Sequence, residues 1–258
     1  MEVLYQLSYV GAEWGEQDSN LRRRCQRVYS ASPLAARTSP RAVGGADCRG
    51  VTRGSRSGED APVDVRPLDP ALFGHGARLI TEALIDDPGW RAVGPDRRGH
   101  RRFVARRYHR TALGIMHRRG GPIYGAFANG ELAGVAATFG AGRYPPPAWT
   151  AVLTVPTFIV AGPGPIVRGL RTSAVQDGGH PEDIHVFLWF LAVNPAHQRR
   201  GVGRALLARV FEEAEAPVYL DTANPANVPY YASLGFEEIG RGALPRGATM
   251  WFMRRPEE

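Results

Sequence analysis

The chain has 258 residues, 43% of them hydrophobic, and a formal net charge of +7. It is long enough to bury a core, its apolar stretches all stop short of the ~20 residues a membrane-spanning helix requires, and Trp14, Glu16 and Asp18 interrupt any secretory-signal pattern at its start. A soluble, cytoplasmic protein is expected, and with Cys25 and Cys48 as its two cysteines neither a disulfide framework nor a cysteine metal site is.

Every one of the 32 basic residues is Arg, which suggests a GC-rich coding sequence. Such a charge balance suits nucleic acid and equally suits a protein that grips phosphates, so charge alone does not choose. Residues 1–60 show neither helical nor strand periodicity, and Ser30 to Gly58 is dense in Ser, Arg, Gly, Ala and Pro. They are expected to be a disordered extension, or translated leader ahead of a true start near Val63. One folded domain is expected over 61–258.

Val63 and Val65 alternate with Asp64 and Arg66 as a short strand, after which Pro67 to Pro70 leads into a helix ending near Asp86. A second helix, about Arg97 to Arg119, sets Phe103, Tyr108, Leu113 and Met116 among nine Arg and no acids, the pattern of a solvated basic face over an apolar stripe. Two strands, Ile123 to Ala128 and Leu132 to Phe139, flank Asn129-Gly130, a dipeptide that favours a type I′ hairpin turn. Between Gly140 and Asp183 one or two helices are expected. His185 to Val193 runs almost without a polar residue, as a central strand covered on both faces does.

A helix follows with Val202, Leu206 and Val210 at helical spacing, ending near Glu215 ahead of Pro217. Val218 to Thr222 is the next strand, then a short helix around Asn227 to Leu234, a stop at Gly235, and strands near Phe236 to Gly240 and Thr249 to Met253. Strands interleaved with helices and ending in a hairpin predict a mixed α/β sheet.

The sharpest local signal is Gln198-Arg199-Arg200-Gly201-Val202-Gly203, between a buried strand and a helix. Glycines there let backbone approach a ligand, and free N–H groups at a helix start point at an anion with the helix dipole behind them. A Walker A loop would need Gly-Lys-Ser/Thr and a dinucleotide fingerprint a third glycine, and the segment has neither. The remaining alternative is that the glycines only tighten a turn.

With this motif the sequence resembles the GNAT superfamily of N-acetyltransferases, whose cofactor motif reads Gln/Arg-x-x-Gly-x-Gly/Ala after a central strand. The resemblance runs from about Val63 to the C-terminus and is greatest to the puromycin N-acetyltransferase group, through His185, Pro195, His197-Gln198, the stretch Asn227 to Phe236 and Trp251-Phe252-Met253. It implies a GNAT-like, mostly antiparallel sheet with splayed central strands, flanked by helices. It implies acetyl-CoA as co-substrate, with backbone groups of Leu191, Ala192 and Val193 pairing with the pantetheine arm, Gln198, Arg199, Arg200, Gly201, Val202, Gly203 and Arg204 holding the pyrophosphate, and Asn227 contacting the coenzyme. It makes Tyr231, in the pattern Tyr-x-x-Leu-Gly-Phe, the acid for the departing thiolate, with Tyr230 as rival.

For the base that deprotonates the acceptor, His185 is the first candidate and Glu182 and Asp183 the others, while His197 is expected to serve only its loop. The expected acceptor is a small-molecule amine, no metal is required, and the protein is expected to be a monomer or homodimer with neither membrane nor nucleic acid as partner. Two alternatives stay open: a basic nucleic-acid-binding protein, and an acyl-CoA sensor without turnover.

Overall fold

The computed structural model describes residues 63–257. The expected disordered leader, with Cys25 and Cys48, lies outside the described residues.

Seven strands form one sheet: β1 (Asp64–Pro67), β2 (Ile123–Ala128), β3 (Glu131–Phe139), β4 (Val186–Val193), β5 (Val218–Thr222), β6 (Glu237–Ala243) and β7 (Thr249–Arg255), in the order β1-β2-β3-β4-β5-β7-β6. Every pairing is antiparallel except β4 with β5. The β2–β3 hairpin turns on Asn129 (φ 52°) and Gly130 (φ 78°), the left-handed pair a type I′ turn demands.

Helices cover both faces. On one, α1 (Phe73–Leu84) and α3 (Arg98–Arg118) bury Phe73, Ile80, Tyr108, Leu113 and Met116 against Ile123, Val135 and Phe139. On the other, α6 (Val202–Glu212) buries Val202, Leu206, Leu207 and Val210 against Ala126, Ala136 and Leu220. The predicted helix over Arg97 to Arg119 is thus α3, and its basic face is partly neutralised: Arg102 pairs with Glu82 at 2.7 Å, Arg98 with Asp86 at 2.8 Å, and buried Arg101 donates to the carbonyls of Ile85 and Pro95.

The predicted helix ending near Asp86 stops at Leu84, and a short helix that the sequence reading passes over follows as α2 (Pro88–Val93). Asp87 caps it by accepting from Gly89 N at 2.9 Å, and Pro88 supplies a preset first position. The Gly140 to Asp183 segment holds two helices, α4 (Val155–Ala161) and α5 (Pro163–Gly179). Gly242 of β6 would meet Val175 Cγ1 at 2.2 Å if it carried a Cβ, and Gly179 would meet the Phe252 ring at 2.1 Å, so the lack of side chains at both is what lets α5 lie against β6 and β7. The last short helix is α7 (Val228–Ala232), closed by Gly235 at φ 85°.

Candidate functional site

Strands β4 and β5 pair only at their first residues, Val186 with Val218 and Phe187 with Tyr219, and part beyond them. Against β3 the register of β4 slips at Trp189: Leu188 faces Thr138 while Phe190 faces Ala137. This bulge also breaks the two-residue alternation, since Phe187 and Phe190 bury on the same face and Val186 and Leu188 on the other. A bulge bends its strand and adds twist, so the divergence starts where the extra residue sits. The edge of β4 from Leu188 onward and that of β5 from Leu220 are therefore free of each other, and backbone groups on such an edge need another partner.

The opening so made is a cleft enclosing about 150 Å³, bounded by Leu188 to Leu191 of β4, Leu220 to Ala223 of β5 and its continuation, Asp87 and Trp90 of the α2 turn, and Asn227 and Tyr231 on the α7 side. Helices α4 and α5 roof it through Thr157, Phe158, Pro165 and Gln176. The roof is tied to the walls: His100 of α3 lies 2.7 Å from the Val160 carbonyl, and Arg168 of α5 donates to the carbonyls of Val93 and Gly94 at 3.3 and 2.8 Å.

Past the end of β4 the chain turns into α6. Arg199 (φ 63°) and Gly201 (φ 81°) take left-handed conformations, Gly201 being the residue before the helix, and no side chain caps the helix start. Its first N–H groups consequently stay open to a ligand. Arg199, Arg200 and Arg204 are exposed around them, Val202 is buried beneath, and Gln198 donates to the Val193 carbonyl at 3.3 Å, fastening the loop to the strand. A Cβ on Gly203 would stand 3.0 Å from Tyr230 Oη and 3.6 Å from Val193 Cγ2.

Asn227 and Tyr231, predicted to share a helix face, both reach the cleft. Asn227 Nδ2 donates to Thr222 Oγ1 at 3.3 Å. Tyr231 is buried with its ring against Phe236, and burial, followed by the neighbouring Tyr230, Asp87 and Asp221, raises its phenol above the ordinary value. Tyr230 leans instead toward Gly203 and Arg204, which separates the two rivals: Tyr231 is on the cleft and Tyr230 on the α6 start.

The base candidates lie elsewhere. His185 precedes β4 at the closed end of the divergence, with Nδ1 2.7 Å from the Asp183 carbonyl and Nε2 3.0 Å from His180 Nε2, outside the cleft lining. Burial lowers the pKa of both rings, that of His180 to about 3. Asp183 pairs with Arg254, and Glu182 is exposed. What sequence reasoning missed is Asp221 on β5, which accepts from Gln176 Nε2 at 3.0 Å inside the cleft and whose carboxyl burial pushes up to about 6. Its only sequence signal is a lone acid in an otherwise apolar strand. Among the described residues no group of three or more His, Cys, Asp or Glu is placed to hold a metal ion, and no helix is long and apolar enough to cross a membrane.

A model of the acetyltransferase (GNAT) family matches residues 90–236. The N-alpha-acetyltransferase RimI of Mycobacterium tuberculosis is 39% identical over 71 residues, which are 25% of this chain and 45% of that protein. An uncharacterized protein of Mycobacterium leprae is 37% identical over 83 residues, 30% of this chain and 23% of that protein. The matches thus span less than half the length of either relative. Among solved structures, one described as histone acetyltransferase HPA2 and related acetyltransferase from Corynebacterium glutamicum superposes with a TM-score of 0.58 at 20% identity, covering 76% of this chain and 97% of that one, and so shares the fold.

Proposed function

The chain belongs to the GNAT family of acetyltransferases, N-acetyltransferases that use acetyl-CoA as co-substrate, and from that premise we propose that it moves the acetyl group onto a primary amine of a small molecule within the roofed cleft between β4 and β5. The observation that carries this reading is the coincidence of three features on one path: the free edge of β4, the uncapped start of α6, and Tyr231 on the cleft.

Backbone groups of Leu191, Ala192 and Val193 satisfy the amides of the pantetheine arm as an added strand would. The open N–H groups at Gly201, Val202, Gly203 and Arg204, with Gln198, Arg199 and Arg200 beside them, hold the pyrophosphate at the positive end of the α6 dipole. The closeness of Gly203 to Tyr230 fits such a cradle, because a side chain at 203 would fill the space backbone offers a phosphate. Asn227 contacts the coenzyme from the α7 side. Bound acetyl-CoA supplies an activated thioester carbonyl. The protein contributes a strand N–H to polarise the carbonyl oxygen and the Tyr231 hydroxyl, which is protonated at neutral pH and faces the cleft where the leaving sulfur needs a proton.

A second reading places the α-amine of a protein N-terminus in the cleft, and the partial likeness to RimI favours it. The roof of α4 and α5 over a cleft of about 150 Å³ favours the small molecule, which such a space encloses. The test is calorimetry with acetyl-CoA followed by thiol release on amines and on short peptides. Saturable binding with amine-dependent release supports the proposal, and release with peptides alone moves the acceptor to protein.

A further inference from the structure

The cleft has a floor that acetyl transfer alone leaves unexplained. Asp221 alternates with Leu220 on β5 and shares the face of Tyr219, under α5. Its Oδ2 takes the Gln176 hydrogen bond, and among the described residues no arginine or histidine pairs with it. Leaving a carboxylate in an apolar recess without a cation is costly, and its charged form awaits a partner. Asp87, the other carboxylate on the lining, is already engaged by Gly89 N and Asn224.

The remaining walls are of a different chemistry. Trp90, Tyr108, Phe158, Phe187, Trp189 and Phe190 all line the same recess, with Trp90 and Tyr108 edge to face at 5.7 Å and Phe187 and Trp189 at 5.1 Å. Flat apolar walls around one acid match a molecule with one positive charge on an aromatic body. A polyamine would bring its second ammonium to Asp87, whose carboxylate already accepts from Gly89 N and the Asn224 side chain, and a peptide would have to pass its trailing polar backbone through the aromatic walls.

We infer that Asp221 seats the ammonium of the acceptor and takes its proton, with Gln176 orienting the carboxylate, and that the acceptor is a monocationic primary amine on an aromatic or similarly apolar body; this rests on the acetyl-transfer reading of the same cleft. The protons balance as follows. The ammonium gives one proton to Asp221, which frees the lone pair that forms the C–N bond. The C–S bond breaks, and the sulfur leaves with the Tyr231 proton. The second proton shed by nitrogen restores Tyr231, Asp221 discharges to water, and the products are an amide, the CoA thiol and one proton.

The experiment compares 2-phenylethylamine, spermidine and an alanine-initiated tetrapeptide in thiol release by the wild-type protein, with Asp221→Asn run beside it and acetyl-CoA affinity of both measured by calorimetry. The expected result is a kcat/KM for the aryl amine at least about 10-fold above either competitor, and a loss of about 100-fold in Asp221→Asn with an unchanged acetyl-CoA Kd. Preference for spermidine or the peptide overturns the acceptor class, and needs no variant to fold. Full activity in a folded Asp221→Asn overturns the seat. Absence of acetyl-CoA binding by the wild type would instead remove the acetyl-transfer reading itself, and this inference with it.

Discussion

Gly203 and Tyr230 approach so closely that a Cβ on the first would lie 3.0 Å from the hydroxyl of the second. The contact joins the first turn of α6 to α7 across the mouth of the proposed pyrophosphate cradle. An alanine at 203 meets only the far end of a tyrosine that can swing aside, whereas an indole must occupy the cradle itself. Gly203→Trp is therefore expected to weaken acetyl-CoA binding by at least about 100-fold, near 3 kcal/mol. Gly203→Ala should cost far less, and calorimetry on both, with melting curves to confirm folding, checks the gradation.

Tyr230 and Tyr231 are neighbours in sequence with rings 5.4 Å apart, yet only Tyr231 reaches the cleft. If Tyr231 delivers the proton to sulfur, Tyr231→Phe should lower kcat by about 100- to 10,000-fold while acetyl-CoA affinity holds, the range general acid catalysis supplies. Tyr230→Phe should leave kcat within a few-fold and act on coenzyme affinity. Equal losses of kcat in the two variants would withdraw the acid role from Tyr231.

The features legible in the sequence were those written in consecutive residues. Asn129-Gly130 forces its turn through two left-handed positions, and Gln198 to Gly203 marks the proposed cradle because strand, glycines and helix follow one another. The bulge at Trp189 was invisible, because a strand apolar on both faces carries no alternation whose slip could be seen. The first helix is read as ending near Asp86, and the Asp87-Pro88-Gly89 that follows is the cap and first turn of α2. Asp221 escaped notice for a different reason: its partner Gln176 is 45 residues earlier, and the roof that buries the pair is positioned by contacts at Gly179 and Gly242 that only the packed sheet creates. His185 attracted attention as the titratable residue nearest the central strand, but proximity in sequence put it at the end where β4 and β5 are still joined.

The seat of α6 on the sheet gives a prediction about coupling between packing and coenzyme. Gly134 of β3 lies beneath the first turns of this helix, and a Cβ there would come within 2.9 Å of both Val202 Cγ1 and Leu206 Cδ1 and 3.2 Å from the Ala192 carbonyl. Those neighbours are fully buried and the carbonyl is backbone, so the helix must rise or rotate. Gly134→Val is expected to destabilise the protein by about 1–3 kcal/mol, as overpacked cores do, and to weaken acetyl-CoA binding because Val202 moves with the helix. Thermal melting and calorimetry on one preparation read both effects. A stability loss with an unaltered Kd would separate the cradle from its support.

The last consequence concerns the cost of keeping Asp221 where it is. Burial raises its carboxyl from 3.8 to about 6 in the folded protein, so between those values the folded state holds a proton that the unfolded state has released. Stability contributed by this group is therefore greatest in acid, falls as pH rises through that window, and above about 6 the full penalty of a charged buried carboxylate remains. The shift corresponds to a penalty on the order of 2–3 kcal/mol. Asparagine can still accept from Gln176 but carries no charge. Asp221→Asn should thus melt roughly 5 °C above the wild type at pH 8 for a domain of this size, with the gap closing by pH 4. Asp177, raised to about 7 by burial, is present in both proteins and cancels in the difference. A variant less stable than the wild type at pH 8 would mean that the carboxylate is held by favourable contacts and has no need of a ligand's charge. A variant that gains stability as it loses turnover would show a group retained for its work on the acceptor, at the expense of the fold.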